Sequence, residues 1–187
     1  MKRILIASAI TAALSAPAMA QNTPSFDFVS ADYQRVDSFG EDFDGFGADF
    51  SRSLTPNVFV EGAVAFFSES GVDLDNYDIG LGYRHALSSQ THAYGVVSAI
   101  HTNVEFDSPG FMHTDDTGWG LAAGVRHRLN DMVELDARLQ HIDIFDDSDI
   151  GARIGAKFFR GVWSFDVGYN HQDSENSSVN LGVSYHF

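Results

Sequence analysis

The last ten residues, S-V-N-L-G-V-S-Y-H-F, constrain the fold more than any other stretch of this chain. From Val179 to Phe187 every second residue is apolar or aromatic, and the residues between them are polar or small. Successive side chains of a β-strand point to opposite faces, so this alternation is the mark of a strand rather than a helix. The stretch therefore predicts a strand with one apolar face, one polar face and an aromatic residue at its end.

Similar alternating segments of about ten residues recur from residue 26 onward and predict an all-β fold of ten strands, with eight as the alternative count. The predicted strands span residues 26–37, 43–54, 58–68, 77–87, 92–102, 116–129, 133–142, 150–159, 162–172 and 178–187. The first and fifth alternate least cleanly. In the fifth strand, Tyr94, Val96 and Ile100 are predicted to share the apolar face.

Two kinds of connection separate these segments in strict alternation. Short ones with turn residues lie at 55–57, 88–91, 130–132 and 160–161, and longer acidic ones lie at 38–42, 69–76, 103–115, 143–149 and 173–177. Alternation of tight turns with longer loops is typical of transmembrane β-barrels. A water-soluble β-sandwich also has alternating strands, but it explains neither this even rhythm nor the amino-terminal segment.

The first twenty residues have the features of a secretory signal peptide. Lys2 and Arg3 precede an apolar stretch at residues 4–14, and Ala-Met-Ala at residues 18–20 forms a cleavage site. The apolar stretch is much shorter than the roughly 20 residues of a membrane-spanning helix. We therefore predict a cleaved signal peptide at residues 1–20 and a single barrel domain at residues 21–187.

Composition excludes several classes of function. The chain has no cysteine, which rules out disulfides and thiolate metal sites. Its formal net charge is −15 at pH 7, and loss of Lys2 and Arg3 with the signal peptide makes it more negative. A strongly acidic protein lacks the basic surface that nucleic acid requires. No nucleic-acid partner is predicted.

The carboxyl-terminal pattern, with Tyr185 and Phe187 on its apolar face, resembles the final strand of Gram-negative outer-membrane β-barrels of the small OmpA/OmpX-like class. The resemblance implies a transmembrane antiparallel up-and-down β-barrel in the outer membrane, with turns facing the periplasm. It also implies contact with outer-membrane lipid and lipopolysaccharide, a monomeric state, and recognition of Tyr185 and Phe187 by the barrel-assembly machinery. The implied role is structural or in envelope integrity or surface interaction.

Charged residues support this assignment of the strand faces. Along the predicted strands they occupy the alternate positions, on the face opposite to the apolar residues. An Arg or Lys that faces lipid at mid-bilayer costs about 2–4 kcal/mol, so the charged face is predicted to line the lumen. The predicted lumen charge network comprises Asp49, Glu61, Arg84, Arg126, Arg128, Glu134, Asp136, Arg138, Arg153, Lys157 and Asp166, and Asp32 and Asp78 share its parity. Such a network is either a small cation-preferring pore or a set of salt bridges that plugs the barrel.

Register predicts specific pairs within this network. Pairing Leu129 with Val133 across a three-residue turn places Arg128 opposite Glu134, and it places Arg126 opposite Asp136. Across the 160–161 turn, the same reasoning places Lys157 opposite Ser164 and diagonal to Asp166.

Aromatic residues are predicted to form two girdles where a membrane meets water. The girdle residues near loop ends are Tyr77, Trp119 and Tyr169, and those near turn ends are Tyr83, Phe158, Trp163 and Tyr185.

Neither catalysis nor metal binding is predicted. An outer-membrane hydrolase acting on lipid or peptide needs a base such as His beside a Ser or Asp, and no His-x-Ser pairing is found among the eight histidines. The acidic loops could offer oxygen ligands to Ca²⁺ or Mg²⁺, but none has the EF-hand spacing. No catalytic residue and no cofactor are assigned, although divalent ions could bridge the loops to lipopolysaccharide phosphates.

Overall fold

The computed structural model describes residues 23–38, 41–69, 71–106, 114–145, 147–172 and 176–187, so the predicted signal peptide lies outside the described residues. The strands are β1 (Phe28–Ser38), β2 (Glu41–Ser53), β3 (Val58–Glu69), β4 (Val72–Ala86), β5 (Thr91–Phe106), β6 (Thr114–Asn130), β7 (Val133–Ile144), β8 (Asp147–Arg160), β9 (Trp163–His171) and β10 (Asn176–His186). Within the described residues, no helix is long and apolar enough to cross a membrane.

The ten strands form one closed antiparallel barrel. Each strand pairs with its neighbours in the chain, and β1 pairs with β10 along its whole length, from Phe28 opposite His186 to Ser38 opposite Asn176. Closure gives every described strand a partner on both sides, which satisfies most backbone hydrogen-bonding groups of the wall. The predicted all-β barrel of ten strands is confirmed. We call the end that carries Phe28 and His186 the turn end, and the opposite end the loop end.

All strands except β9 continue further toward the loop end than the sequence predicted. For example, β4 begins at Val72 rather than at residue 77, and β5 runs to Phe106 rather than to residue 102. Asp75 lies in this extension, paired with Asn103 across the ladder. Acidic residues are depleted in strands, and this is why the sequence suggested loops here. The predicted loops are therefore too long, because backbone pairing persists where the side chains are acidic.

The hairpin between β6 and β7 has a shorter turn than predicted, but beyond the turn its strands pair in the predicted register. Asn130 pairs with Val133 across the two-residue turn 131–132, and the ladder shifts by one residue between Arg128 and Asn130. The Asn130 Oδ1 accepts hydrogen bonds from the N–H groups of Met132 (2.8 Å) and Val133 (3.0 Å). This β-bulge absorbs the extra residue. The predicted pairs Arg128 with Glu134 and Arg126 with Asp136 are confirmed.

The hairpin between β8 and β9 corrects another prediction. Its turn residues are 161–162, with Arg160 opposite Trp163, and Gly161 has a φ of 66°. The commonest two-residue hairpin turns have a positive φ at the first central position, which glycine adopts readily. The turn therefore starts one residue later than predicted. Consequently Lys157 lies directly opposite Asp166, and the predicted pairing of Lys157 with Ser164 is wrong.

The fifth strand has the opposite orientation to the one predicted. Tyr94, Val96 and Ile100 are buried in the lumen, whereas Val97 is 53% exposed on the outer face. The prediction failed because it assigned every apolar side chain to the outer, lipid-facing side of the wall. Tyr94 and Val96 instead belong to an apolar cluster inside the barrel, together with Phe59.

Candidate functional site in the lumen

The segment before β1 closes the turn end of the lumen. The sequence predicted Phe26 as the start of the first strand, but this residue lies ahead of β1 and its side chain is only 2% exposed. Its ring centroid lies 4.9 Å from that of Phe59 and 5.9 Å from those of His92 and Tyr94. We call these four aromatic side chains the floor. This position could not be predicted, because Phe26 continues the alternating pattern of β1 and is therefore expected to belong to that strand.

Two guanidinium groups pack on the ring of Phe26. The Cζ atom of Arg84 lies 4.6 Å from the ring centroid, and that of Arg126 lies 4.3 Å from it. Cation–π contacts of this kind strengthen when the groups are removed from water. The Arg84 Nε also donates a hydrogen bond to the carbonyl of Pro56 at 2.9 Å. The inward arginines of the turn end therefore hold the floor in place.

Polar contacts fix the segment at Ser25. Its N–H donates to Oε2 of Glu134 at 3.0 Å, and its carbonyl accepts a hydrogen bond from Nη1 of Arg126. Its hydroxyl lies 2.8 Å from Nδ1 of His186. The backbone groups of a segment inside a barrel have no strand partner, so side chains of the wall satisfy them instead.

His186 links this segment to the wall. Its Nε2 lies 2.9 Å from the hydroxyl of Ser164, which donates to Oδ1 of Asp166 at 2.6 Å. No His–Ser contact could be predicted from the sequence, because Ser25 and Ser164 are distant from His186 along the chain. The imidazole is buried, with the ring of Phe159 4.6 Å away. Its contacts join the segment ahead of β1 to β9 and β10.

Lys and Arg side chains in the lumen form ion pairs with carboxylates. Four of these pairs have an N–O distance of 3.3 Å or less. The distances are 2.6 Å for Lys157 Nζ to Asp166 Oδ2, 3.3 Å for Arg126 Nε to Asp136 Oδ2, 3.3 Å for Arg128 Nη1 to Glu134 Oε2 and 2.8 Å for Arg138 Nη1 to Glu61 Oε1. The first three pairs join adjacent strands. Arg138 on β7 and Glu61 on β3 are not on neighbouring strands, so their pair spans the barrel interior.

A polar cavity of about 360 Å³ lies in the lumen beside this spanning pair. Asp32, Asp49 and Asp78 line it from β1, β2 and β4, and Arg153 lines it from β8. Within the described residues, Arg153 has no ion pair within 4.0 Å. The predicted charge network is thus divided into residues that form ion pairs and three residues that form none within the described part of the chain, namely Asp49, Arg84 and Arg153.

The predicted girdle residues lie on the outer face of the barrel. Trp119 and Tyr169 are exposed toward the loop end, and Tyr83, Phe158 and Trp163 are exposed toward the turn end. Tyr77 and Tyr185 are half-buried, and the Tyr185 ring packs 5.1 Å from that of Trp163. Exposed aromatic residues at two heights are typical of a wall that crosses a membrane.

The carboxyl terminus lies at the turn end beside the start of β1. The N–H of Phe187 donates to the carbonyl of Asp27 at 3.2 Å, and Arg52 Cζ lies 5.0 Å from the centroid of its ring. Among the described residues, no group of three His, Asp or Glu side chains is arranged to hold a metal ion.

Comparison with known proteins identifies the family. The sequence profile of the outer membrane protein beta-barrel domain matches residues 6–187. The chain belongs to this family. It is therefore a small outer-membrane β-barrel protein, and the predicted location in the outer membrane is confirmed. No curated protein matches the chain.

Solved outer-membrane barrels share its fold at low sequence identity. The chain is similar to the KdgM porin, with a TM-score of 0.50, 11% identity, and coverage of 84% of this chain and 99% of that chain. It is similar to OprG from Pseudomonas aeruginosa, with a TM-score of 0.49, 14% identity, and coverage of 91% and 99%. It is also similar to Ail of Yersinia pestis, with a TM-score of 0.48, 17% identity, and coverage of 86% of this chain and 95% of that chain. At these identities the likeness concerns the fold alone.

Proposed function

We propose that this outer-membrane β-barrel has a structural or surface-interaction role and does not conduct ions in its resting form. The observation that carries the proposal is the floor, in which Phe26 is 2% exposed between Phe59 and the two guanidinium groups of Arg84 and Arg126. In this proposal the turn end faces the periplasm, so the amino-terminal segment closes the periplasmic opening.

The ion pairs support the same proposal. A conducting pore needs charged side chains that face water, whereas here Arg126, Arg128 and Glu134 are buried against one another. Arg126 and Glu134 also hydrogen-bond to Ser25 in the segment ahead of β1. The Arg138–Glu61 pair places a further contact across the interior. Side chains that fill a narrow barrel in this way stabilise the wall and leave little continuous space for ions.

A small cation-preferring pore is the second candidate, and the cavity favours it. Six carboxylates line this cavity against the four cationic side chains of Arg126, Arg138, Arg153 and Lys157, and an acidic interior attracts cations. Conduction would require the segment at residues 23–27 to leave the lumen. We do not propose an enzyme, because His186 is buried in contacts that join structural elements and is not among the residues that line the cavity.

We further propose the partners that suit a barrel of this kind. The loop end carries many exposed acidic residues, among them Asp42, Asp44, Asp73, Asp115 and Asp147. Divalent ions could bridge such carboxylates to the phosphates of lipopolysaccharide. We also propose export through a cleaved signal peptide at residues 1–20, insertion by the barrel-assembly machinery through Tyr185 and Phe187, and a monomeric state without nucleic acid.

Planar-bilayer recordings of the refolded chain from residue 21 test the proposed role. The wild type is expected to give no discrete conductance steps, and deletion of residues 23–26 is expected to produce them. Phe46→Ala is the control, since Phe46 is exposed on the outer face, and it should remain silent. Regular cation-selective steps from the wild type would overturn the proposal and establish the pore.

A further inference from the structure

The charged side chains of the lumen cavity are divided between two opposite sides of the barrel. Strands β1 to β4 contribute four carboxylates and no cation to the cavity, namely Asp32, Asp49, Glu61 and Asp78. Strands β6 to β9 contribute all four cations, Arg126, Arg138, Arg153 and Lys157, together with Asp136 and Asp166. In the closed order of ten strands, β8 is five strands away from β3 and therefore faces it across the lumen. The cavity thus has an acidic side and a basic side.

Ion pairs neutralise part of this charge. Three of the cations are held by carboxylates, in the pairs Lys157–Asp166, Arg126–Asp136 and Arg138–Glu61. The lining residues that remain without a salt bridge in the described part of the chain are Asp32, Asp49, Asp78 and Arg153. The charges left over therefore keep the same division, with carboxylates on one side and a guanidinium group on the other.

Asp32 is turned into the wall and is not available to a ligand. It is only 8% exposed, and its carboxylate leans over Gly47 on the neighbouring strand. The amide nitrogen of Gln34 reaches the same spot, since a Cβ atom added at Gly47 would lie 2.7 Å from Nε2 of Gln34 and 2.9 Å from Oδ1 of Asp32. The accessible carboxylates of the acidic side are therefore those of Asp49 and Asp78, which are both half-buried.

Ala63 separates these two carboxylates. It pairs with Asp49 on β2 and with Asp78 on β4, and all three residues line the cavity. The Ser30 hydroxyl donates to Oδ2 of Asp49 at 2.9 Å, and the Ser98 side chain hydrogen-bonds to Asp78. The small side chain of Ala63 leaves open the space between two carboxylates that project inward from a concave wall.

Arg153 is the free cation of the basic side. It is half-buried, and its neighbours across the ladder are Arg138 on β7 and Asn170 on β9. Arg138 is held by Glu61, and Asn170 donates to the Ser178 hydroxyl at 3.0 Å. A guanidinium group is a planar fork of N–H donors that matches a carboxylate. Arg153 therefore offers a carboxylate site that faces the accessible carboxylates of the acidic side.

We propose that the cavity binds a short peptide with free ends, its ammonium group toward Asp49 and Asp78 and its carboxylate on Arg153. Ten strands about 4.8 Å apart and tilted by about 40° enclose a ring roughly 20 Å across at the backbone, which the side chains narrow. An extended chain spans about 3.3–3.6 Å per residue, so two or three residues bridge what is left and a single amino acid does not.

The rest of the lining suits a peptide as well. Amide side chains donate to and accept from peptide groups, and five of them line the cavity, namely Asn76, Gln140, Asn170, Gln172 and Asn180. The volume of about 360 Å³ is at the lower end for small-molecule sites. A ligand with a single charge would satisfy only one side of the cavity.

Isothermal titration calorimetry on the refolded chain in a non-ionic detergent tests this site, with trialanine as the probe. We expect saturable binding to the wild type with one site per chain. Trialanine amide lacks the carboxylate and N-acetyl-trialanine lacks the ammonium group, so each should bind at least tenfold more weakly than trialanine.

Two variants assign the ends of the peptide. Arg153→Gln should weaken the binding of trialanine at least tenfold, and it should bind trialanine and its amide equally. Asp49→Asn should reduce the preference for trialanine over its acetylated form several-fold. Arg160→Gln is the matched control for Arg153, because it removes the same charge from an exposed position at the turn end, and its affinity should stay within twofold of the wild type.

The proposal is overturned if the wild type shows no saturable heat, or if it binds trialanine amide as tightly as trialanine. It is also overturned if Arg153→Gln and Arg160→Gln weaken binding equally, which would show general charge attraction. Asp49→Asn keeps the test decisive if Arg153→Gln fails to fold, since an unchanged preference for trialanine over its acetylated form would remove the acidic side from the site.

Discussion

The hydroxyl of Ser25 lies 2.8 Å from Nδ1 of His186, so the segment ahead of the first strand is hydrogen-bonded to the last strand. β1 and β10 also pair directly, which closes the wall. The segment ahead of β1 therefore gains its full set of contacts only when β10 is in place. Closure of the wall and closure of the turn end are coupled through these two residues.

The Arg138–Glu61 pair should contribute strongly to stability, because it joins opposite sides of the interior and both side chains are largely buried. Glu61→Gln leaves the Arg138 charge without its carboxylate, and we expect the free energy of unfolding to fall by about 1–3 kcal/mol. Urea unfolding in lipid vesicles measures this. Asp131→Asn, at an exposed turn residue, serves as the control and should have almost no effect. An equal loss in both variants would contradict the account.

The floor should not tolerate a side chain at Gly82. A Cβ atom there would lie 2.2–2.6 Å from three ring atoms of Phe59, which is too close for the ring to stay in place. We expect Gly82→Ala to destabilise the barrel by about 1–3 kcal/mol through overpacking. Gly95→Ala is the matched control, since its nearest contact would be the carbonyl of Ala122 at 3.5 Å. If Gly82→Ala unfolds at the same urea concentration as Gly95→Ala, the floor is packed differently.

A charged side chain on the outer face should destabilise the barrel more, the deeper it lies in the membrane. Leu139 is 63% exposed within β7, whereas Leu129 is 53% exposed beside the turn at residues 131–132. We expect Leu139→Arg to destabilise the barrel by about 2–4 kcal/mol and Leu129→Arg by about 0–1 kcal/mol. Unfolding in lipid vesicles separates the two. Similar values for both variants would mean that the bilayer does not surround β7 as the fold implies.

The strand number and most of the inward charges could be predicted from the sequence, because a period of two fixes which residues share a face. The same rule failed where the interior is itself apolar. Because Tyr94 and Val96 are apolar or aromatic, they were predicted to lie on the outer face, but they pack inside the barrel near Phe59 and Phe26. Polarity reveals the face of a strand only where the two faces meet different surroundings.

The floor and the Arg138–Glu61 pair could not be predicted, for a different reason. Both depend on contacts across the barrel. Phe26 and Tyr94, like Glu61 and Arg138, are far apart in the sequence, so no local pattern indicates that they meet. Turn register was also misjudged by one residue at Gly161, where positive φ fixes the turn position. Local pattern predicts adjacent pairs such as Arg126 with Asp136, but not pairs between strands that are not neighbours.

Phe187 should matter for assembly more than for stability. Its ring packs near Arg52 at the edge of the turn end, and its N–H makes one hydrogen bond to Asp27. If the assembly machinery reads this residue, Phe187→Ala should reduce the amount of barrel in the outer membrane of cells several-fold. Refolding of the purified variant into detergent should proceed as for the wild type. An equal defect in both assays would assign Phe187 a structural role instead.

The position of the amino-terminal segment is the central claim, and a disulfide tests it most directly. The natural chain has no cysteine, so the double variant Ser25→Cys with His186→Cys introduces one defined pair. Mild oxidation of the folded barrel should cross-link this pair, seen as a mobility difference between oxidised and reduced samples after denaturation. The control pair Ser25→Cys with Ser148→Cys, with Ser148 near the loop end, should not cross-link. Failure of the first pair to cross-link, or equal cross-linking of both, would contradict a closed turn end.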